Sequence, residues 1–280
     1  MHGLHKPASA DWTIPQDWAA YSADEHRIWD VLFERQSRML QGRASQAFLR
    51  AVDVLRLDRG GIPDFAVLND KLAKLTGFEV VAVPGLVPDA VFFDHLAHRR
   101  FVAGRFIRQP DQLDYLEEPD VFHDVFGHVP MLADPAFADY MQAYGQGGLR
   151  AQSLHAIDKL ARLYWYTVEF GLVREAGALR LYGAGIVSSY GESLFALDDP
   201  SPHRIDFDLM RVMRTRYRID DYQQTYFVIE SFEDLLRQTV ENDFAPLYES
   251  LAAEDDLPPD AVLAGDRVVT RGTQARWQGR

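Results

Sequence analysis

The sequence contains no cysteine. Disulfides, thiolate metal sites and cysteine nucleophiles are excluded at once. Positive charge is also scarce: 29 Lys and Arg stand against 42 Asp and Glu, a formal net charge of −13. Nothing resembles a basic stripe, so a nucleic-acid partner is not expected. No run of about eighteen apolar residues is available to span a bilayer, so no membrane role is expected either. The opening MHGLHKPASADWTIPQ lacks the apolar centre of a secretory signal. Repeats, low-complexity tracts and interdomain linkers are missing as well. These absences describe an acidic protein, expected to be soluble and cytoplasmic.

Apolar and aromatic residues are plentiful. Of 280 residues, 47% are apolar, with 17 Phe, 12 Tyr and 5 Trp, enough to fill a large core. Residues 1–22 read as an irregular lead-in. Helices are expected over Ala23–Met39 and Ser45–Leu57, the second with Phe48, Val52 and Leu55 at the helical period. Gly60–Pro63 reads as a loop, and Asp64 as the cap of a helix that Gly77 closes. Strands are expected at Phe78–Val83, Phe101–Arg108, Ala178–Tyr182 and Tyr226–Glu230. Asp134–Pro135 opens a helix to about Tyr144. A long buried helix comes next over Ile157–Val173, then a glycine-rich turn at Gly183–Glu192 and a helix at Phe232–Leu251. The tail 256–280 carries Pro, Gly and Arg and is not expected to be well ordered. The expected fold is one domain over 1–280, mostly α with a few short β-strands (α+β).

The most informative stretch is Pro119-Asp-Val-Phe-His-Asp-Val-Phe-Gly-His-Val-Pro130. Its histidines, His123 and His128, are five residues apart, which on a continuous α-helix leaves their side chains roughly 140° apart. Convergence on one ion would follow if the helix stopped between them, with Gly127 as the stop and Pro130 preventing a restart. The third ligand is sought in Leu163–Val173, where Glu169 is the only charge in an apolar and aromatic run. A buried carboxylate needs a compensating partner, and a cation would serve. Two histidines and one carboxylate form the facial triad of non-haem iron(II) oxygenases, which leaves coordination positions open. The same residues also allow ordinary core histidines and a Glu169 paired with Arg162 or Arg174. A zinc hydrolase fits less well, because its HExxH motif spaces histidines by four and places Glu after the first. Here the spacing is five, and Asp124 comes after the first histidine.

Two further features need weighing. The glycines of Gly183–Gly191 do not form a GxGxxG turn between strand and helix, so small residues admitting a small substrate fit better than a phosphate cradle. Arg108, near the histidines, reads either as a solvated arginine or as a two-pronged partner for a substrate carboxylate.

In order along the chain, GFEVVAVPGLVP at 77–88, PDVFHDVFGHVP at 119–130, YWYTVEFGL at 164–172, YGAGIVSSYGE at 182–192 and YFVIESFED at 226–234 resemble the catalytic domain of the pterin-dependent aromatic amino acid hydroxylases. The likeness covers about residues 60–235 and is greatest to the short bacterial phenylalanine hydroxylases. It implies a phenylalanine 4-monooxygenase that turns L-phenylalanine into L-tyrosine with O2, Fe(2+) and a tetrahydropterin (tetrahydrobiopterin or similar). Iron would be held by His123, His128 and Glu169, with Tyr164 close to it. The pterin would meet the backbone of Gly85, Leu86 and Val87, the ring of Phe92 and, through water, Asp124. Substrate would be bound by Arg108 and Ser188 and enclosed by Trp165, Phe170 and the ring of His123. Ile219, within Tyr217–Tyr222, stands where this family tracks substrate choice; an apolar residue there implies phenylalanine rather than tyrosine. Two departures are visible. Asp124 is one carbon shorter than the acid of animal members, and Leu116–Glu117 replaces their Thr–Pro. No heptad helix comes after the core, so a monomer is expected.

Overall fold

The structure is a computed structural model that describes residues 9–114 and 118–278. The departure at Leu116–Glu117 lies outside the described residues. Helix α1 (Ala23–Leu40) begins at a reciprocal cap: the Ser22 hydroxyl accepts from the Glu25 N–H while the Glu25 carboxylate accepts from the Ser22 N–H. Helices α2 (Gln46–Leu55) and α3 (Phe65–Leu75) start at the side-chain caps Ser45 and Asp64. Strand β1 (Glu79–Val83), helix α4 (Asp89–Ala97) and strand β2 (Arg100–Gly104) form a parallel crossover unit, with Glu79 opposite Arg100. The expected strand to Arg108 stops at Gly104. By Arg108 the backbone N–H has turned to the Asp120 carboxylate instead of a neighbouring strand.

The expected break between the two histidines does not occur. Phe122–His128 is a continuous π-helical turn. Bonding between residues five apart stacks His123 and His128 on one face, so the wider winding replaces the helix stop. Gly127 serves a different purpose: a Cβ there would sit 3.0 Å from the Ala184 carbonyl oxygen, so glycine lets helix α7 (Ala184–Val187) pack close.

Helix α5 (Pro135–Ser153) passes the expected end at Tyr144 because Gly145 and Gly148 are contact notches rather than stops. Cβ atoms there would lie 2.4 Å from the Ala97 backbone and 2.1 Å from the Phe93 ring of α4. The long helix expected over Ile157–Val173 is really three pieces: α6 (Ile157–Tyr164), a second π-helical turn (Trp165–Glu169), and strand β3 (Leu172–Glu175). Gly171 marks the change, with no room for a Cβ beside the Tyr182 hydroxyl. Strand β4 (Ala178–Leu181) returns antiparallel to β3.

The expected glycine-rich turn is α7 and then α8 (Tyr190–Asp198), capped by Ser189. Small residues there permit close helix packing, not merely a loop. Strand β5 (His203–Asp206), helix α9 (Leu209–Arg214) and strand β6 (Thr225–Ile229) come next. The expected helix Phe232–Leu251 is split into α10 (Phe232–Val240) and α11 (Phe244–Ala252), because Asp243 caps a new helix and Pro246 belongs in a first turn. Beyond Asp255, where order was not expected, the chain is held in place: strand β7 (Val268–Thr270) pairs with β5, and Arg211 bonds Asp266 and the Ala261 carbonyl. The main sheet runs β4-β3-β6-β5-β7, with a parallel centre and antiparallel edges. Helix α7 packs against both π-helical turns, with α1 and β2 also against the first and β6 against the second, and so positions the site.

Candidate functional site

Three electron-pair donors meet where the π-helical turns face each other. His128 Nε2 lies 3.2 Å from His123 Nε2 and 3.2 Å from Glu169 Oε1, and His123 Nε2 lies 3.7 Å from Glu169 Oε2. Arg162 and Arg174 do not compensate Glu169. They pair instead with Asp256 and with Asp206 and Glu230.

Protonation fits a ligand set. Ser188 Oγ donates to the Ala184 carbonyl at 2.7 Å, so it must accept from His123 Nδ1–H at 2.9 Å. That bond leaves the His123 Nε2 lone pair aimed at the cluster. Burial, with His128 adding to it, pushes His123 down to about 4 despite the opposing pull of Glu169. Burial also acts to raise Glu169, but His128, His123 and the Gly185 N–H outweigh it and keep the carboxylate below its ordinary value. Separations of this size suit neighbouring corners of an octahedron, roughly 3 Å apart for bonds of about 2.1 Å. The donor set fits a divalent transition ion with open positions.

His123 and Glu169 of the cluster line a cavity of about 530 Å³, together with residues that include Arg108, Trp165, Phe170, Ser188 and Ile219. The Arg108 side edge is already occupied: Nε and Nη2 donate to Asp120 at 2.8 and 2.9 Å. Only the Nη1–Nη2 end remains for a ligand. Asp120 is fully buried and also accepts from the Arg108 and His123 backbone N–H groups at 2.9 and 3.0 Å. Burial would raise its pKa, yet the Arg108 guanidinium and these N–H groups hold it below the ordinary value. Trp165 stacks on Tyr217 at 4.3 Å and meets Phe170 at 4.7 Å. Ile219 is 76% exposed, so it belongs to the cavity rim rather than its floor.

The residues that the resemblance assigns to the pterin do not line this cavity. Gly85, Leu86 and Val87 occupy the β1–α4 connection, and Leu86 is exposed. Phe92 is linked to the donor cluster through Tyr164: its ring centroid is 5.7 Å from that of Tyr164, which lies 6.2 Å from the His128 ring. Asp124 accepts from the Gly104 N–H at 2.7 Å, and burial raises its pKa to about 7.

Sequence reading missed three residues of the site: Glu192 and Gln223, which line the cavity, and Asp120, buried behind Arg108. Asp120 was legible as a charge inside the PDVFHD run. Glu192 is buried, accepts from the Tyr226 hydroxyl and is raised by that burial to about 7. Its only sequence signal was an acid flanked by small and apolar residues. Gln223 gave none.

A model of the biopterin-dependent aromatic amino acid hydroxylases matches residues 12–248. The phenylalanine-4-hydroxylase of Caulobacter vibrioides is 63% identical over 268 residues, covering 96% of this chain and 91% of the relative. That of Ralstonia nicotianae is 57% identical, covering 95% and 85%. The iron- and phenylalanine-bound crystal structure of Chromobacterium violaceum phenylalanine hydroxylase superposes with a TM-score of 0.89 at 51% identity, covering 93% of this chain and 95% of that one.

Proposed function

The chain belongs to the biopterin-dependent aromatic amino acid hydroxylases, and on that premise we propose how its own residues serve the reaction. The enzyme is an iron-dependent monooxygenase that hydroxylates L-phenylalanine to L-tyrosine with O2 and a tetrahydropterin. His123, His128 and Glu169 would hold iron(II), which would activate O2, and the tetrahydropterin would supply the two electrons that no side chain carries.

The remaining work falls to the protein. Asp120 fixes the Arg108 guanidinium so that its Nη1–Nη2 end receives the substrate carboxylate. Ser188 accepts the hydrogen bond from His123 Nδ1–H and so fixes the ring's tautomer and orientation, while burial keeps it neutral. Trp165 and Phe170 enclose the substrate ring and exclude water from the place where it reacts. Phe92 offers a stacking face to the pterin, the backbone of Gly85, Leu86 and Val87 offers hydrogen bonds, and Asp124 lies within reach of it. Tyr164 packs between Phe92 and His128, joining the pterin and metal sides.

The observation that carries this reading is the convergence of three donor atoms, two of them from residues lining a cavity that also presents a buried, pre-oriented guanidinium end. A single catalytic domain, acting as a cytoplasmic monomer, belongs to the same proposal. Its chemical test is iron-loaded protein supplied with phenylalanine, O2 and a tetrahydropterin and monitored for tyrosine. Light scattering at working concentration tests the monomer.

A further inference from the structure

Trp165 forms a wall of the phenylalanine cavity, and its orientation depends on more than stacking. Tyr217 and Phe170 constrain the plane of the indole but not which way its edge faces. The edge is held by one bond, from Trp165 Nε1–H to the Gln223 side-chain carbonyl at 2.8 Å. The same amide donates through Nε2 to the Arg218 carbonyl at 3.1 Å. Arg218 immediately precedes Ile219 on the cavity rim. Gln223 is 3% exposed, and it lines the cavity together with Trp165.

The chemistry at both ends explains why the residue is an amide. An indole N–H only donates and a backbone carbonyl only accepts, so a single side chain meeting both must carry an acceptor and a donor. Glutamate would satisfy the indole and oppose the carbonyl. Methionine would satisfy neither, at nearly the same volume. A buried indole N–H without an acceptor is costly, so its ring would turn to seek one.

We propose that Gln223 is a positioning residue for substrate choice, whose amide spaces the Ile219 loop from the Trp165 wall and thereby sets the size of aromatic ring the cavity accepts. This rests on the phenylalanine pocket proposed above. Ile219, at the exposed rim, would then act through a loop whose distance from the wall is fixed elsewhere.

The test compares iron-loaded wild type, Gln223→Glu and Gln223→Met with phenylalanine and tryptophan as substrates. Loss of two buried hydrogen bonds in Gln223→Met is expected to raise KM for phenylalanine about tenfold with kcat changed less than about threefold. The preference in kcat/KM for phenylalanine over tryptophan should narrow by about the same factor, and Gln223→Glu should fall between. A readout independent of turnover comes from 19F NMR of protein labelled with 5-fluorotryptophan, the Trp165 line being identified by its loss in Trp165→Phe. That line should be single in wild type and split or broadened in Gln223→Met. An unchanged line and unchanged preference in Gln223→Met overturn the proposal, as do equal losses of kcat for both substrates with lowered iron content. Absence of tyrosine formation by wild type would instead overturn the reaction assignment, a separate result.

Discussion

Replacing Asp120 by Asn separates a buried carboxylate's charge from its shape. Asp120 accepts four hydrogen bonds, two at each oxygen, from the Arg108 N–H, Nε and Nη2 and from the His123 N–H. Asparagine keeps one oxygen and turns an NH2 toward two donors, so at least two bonds are lost and the Arg108 charge loses its counterion. Breaking a buried pair from one side costs about 3–5 kcal/mol, and two charge-assisted bonds at about 1.5–3 kcal/mol each lead to the same range. For a chain of this size that is a fall in melting temperature on the order of 10 °C. The freed guanidinium would also lose its aim, so KM for phenylalanine should rise more than tenfold while iron stays bound. The pH dependence has a definite sign. Folding lowers the Asp120 pKa, so its contribution is complete above the ordinary carboxylate value, near pH 4, and is lost as pH falls through the folded value. Asp120→Asn should therefore flatten the acid limb of a stability-versus-pH curve. Thermal unfolding from pH 2 to 7, paired with steady-state kinetics, makes the measurement. A melting temperature within 2 °C of wild type and an unchanged KM would refute the reasoning.

The site dictates other outcomes. His123→Ala, His128→Ala and Glu169→Gln should each lose most bound iron and turnover with the fold kept; full metal occupancy and normal rate in any one of them would remove that residue from the ligand set. Arg108→Lys keeps the charge but not the planar fork that Asp120 grips, so a large rise in KM with iron retained is expected from substrate titrations. Specificity constants should rank phenylalanine above tyrosine and tryptophan, and a clear preference for tyrosine would contradict the role given to Ile219. Burial raises the Glu192 pKa to about 7, so its protonated form adds stability that is full below about pH 4.5 and lost as pH rises through about 7. Denaturant titrations of Glu192→Gln between pH 4.5 and 8 should show less of that decline.

The three donor residues that the structure brings together were legible because each stood out chemically against its neighbours: paired histidines in a tight motif, and one acid in an apolar run. The means of bringing them together was not. Five-residue spacing suggested a broken helix because 3.6-residue winding was assumed, and nothing local in Phe122–His128 distinguishes a π-helical turn from a stop at Gly127. The same limit applies to Gly145 and Gly148, whose reason is the face of α4, more than forty residues earlier in the chain. The cap Asp64 was readable because its bond, to the Ala66 N–H, closes within two residues. Gln223 illustrates the opposite case. Its partners are Trp165 and Arg218, and a polar residue beside a strand carries no mark of an indole 58 positions away.

The two π-helical turns also limit how these segments can change in length. Within an ordinary surface helix, gaining or losing a residue rotates the rest of the helix by about 100°, and a loop can absorb the change. Here all three donor atoms sit on turns that already hold one residue more than α-helical winding would place there. Deleting a residue from Phe122–His128 or Trp165–Glu169 would permit tighter winding while moving a donor off the shared face or out of step with its neighbours. Side chains such as Val125 or Val168 can be exchanged for others of similar bulk. The number of residues between the donors cannot. In these two stretches, insertions and deletions are the changes the architecture tolerates least.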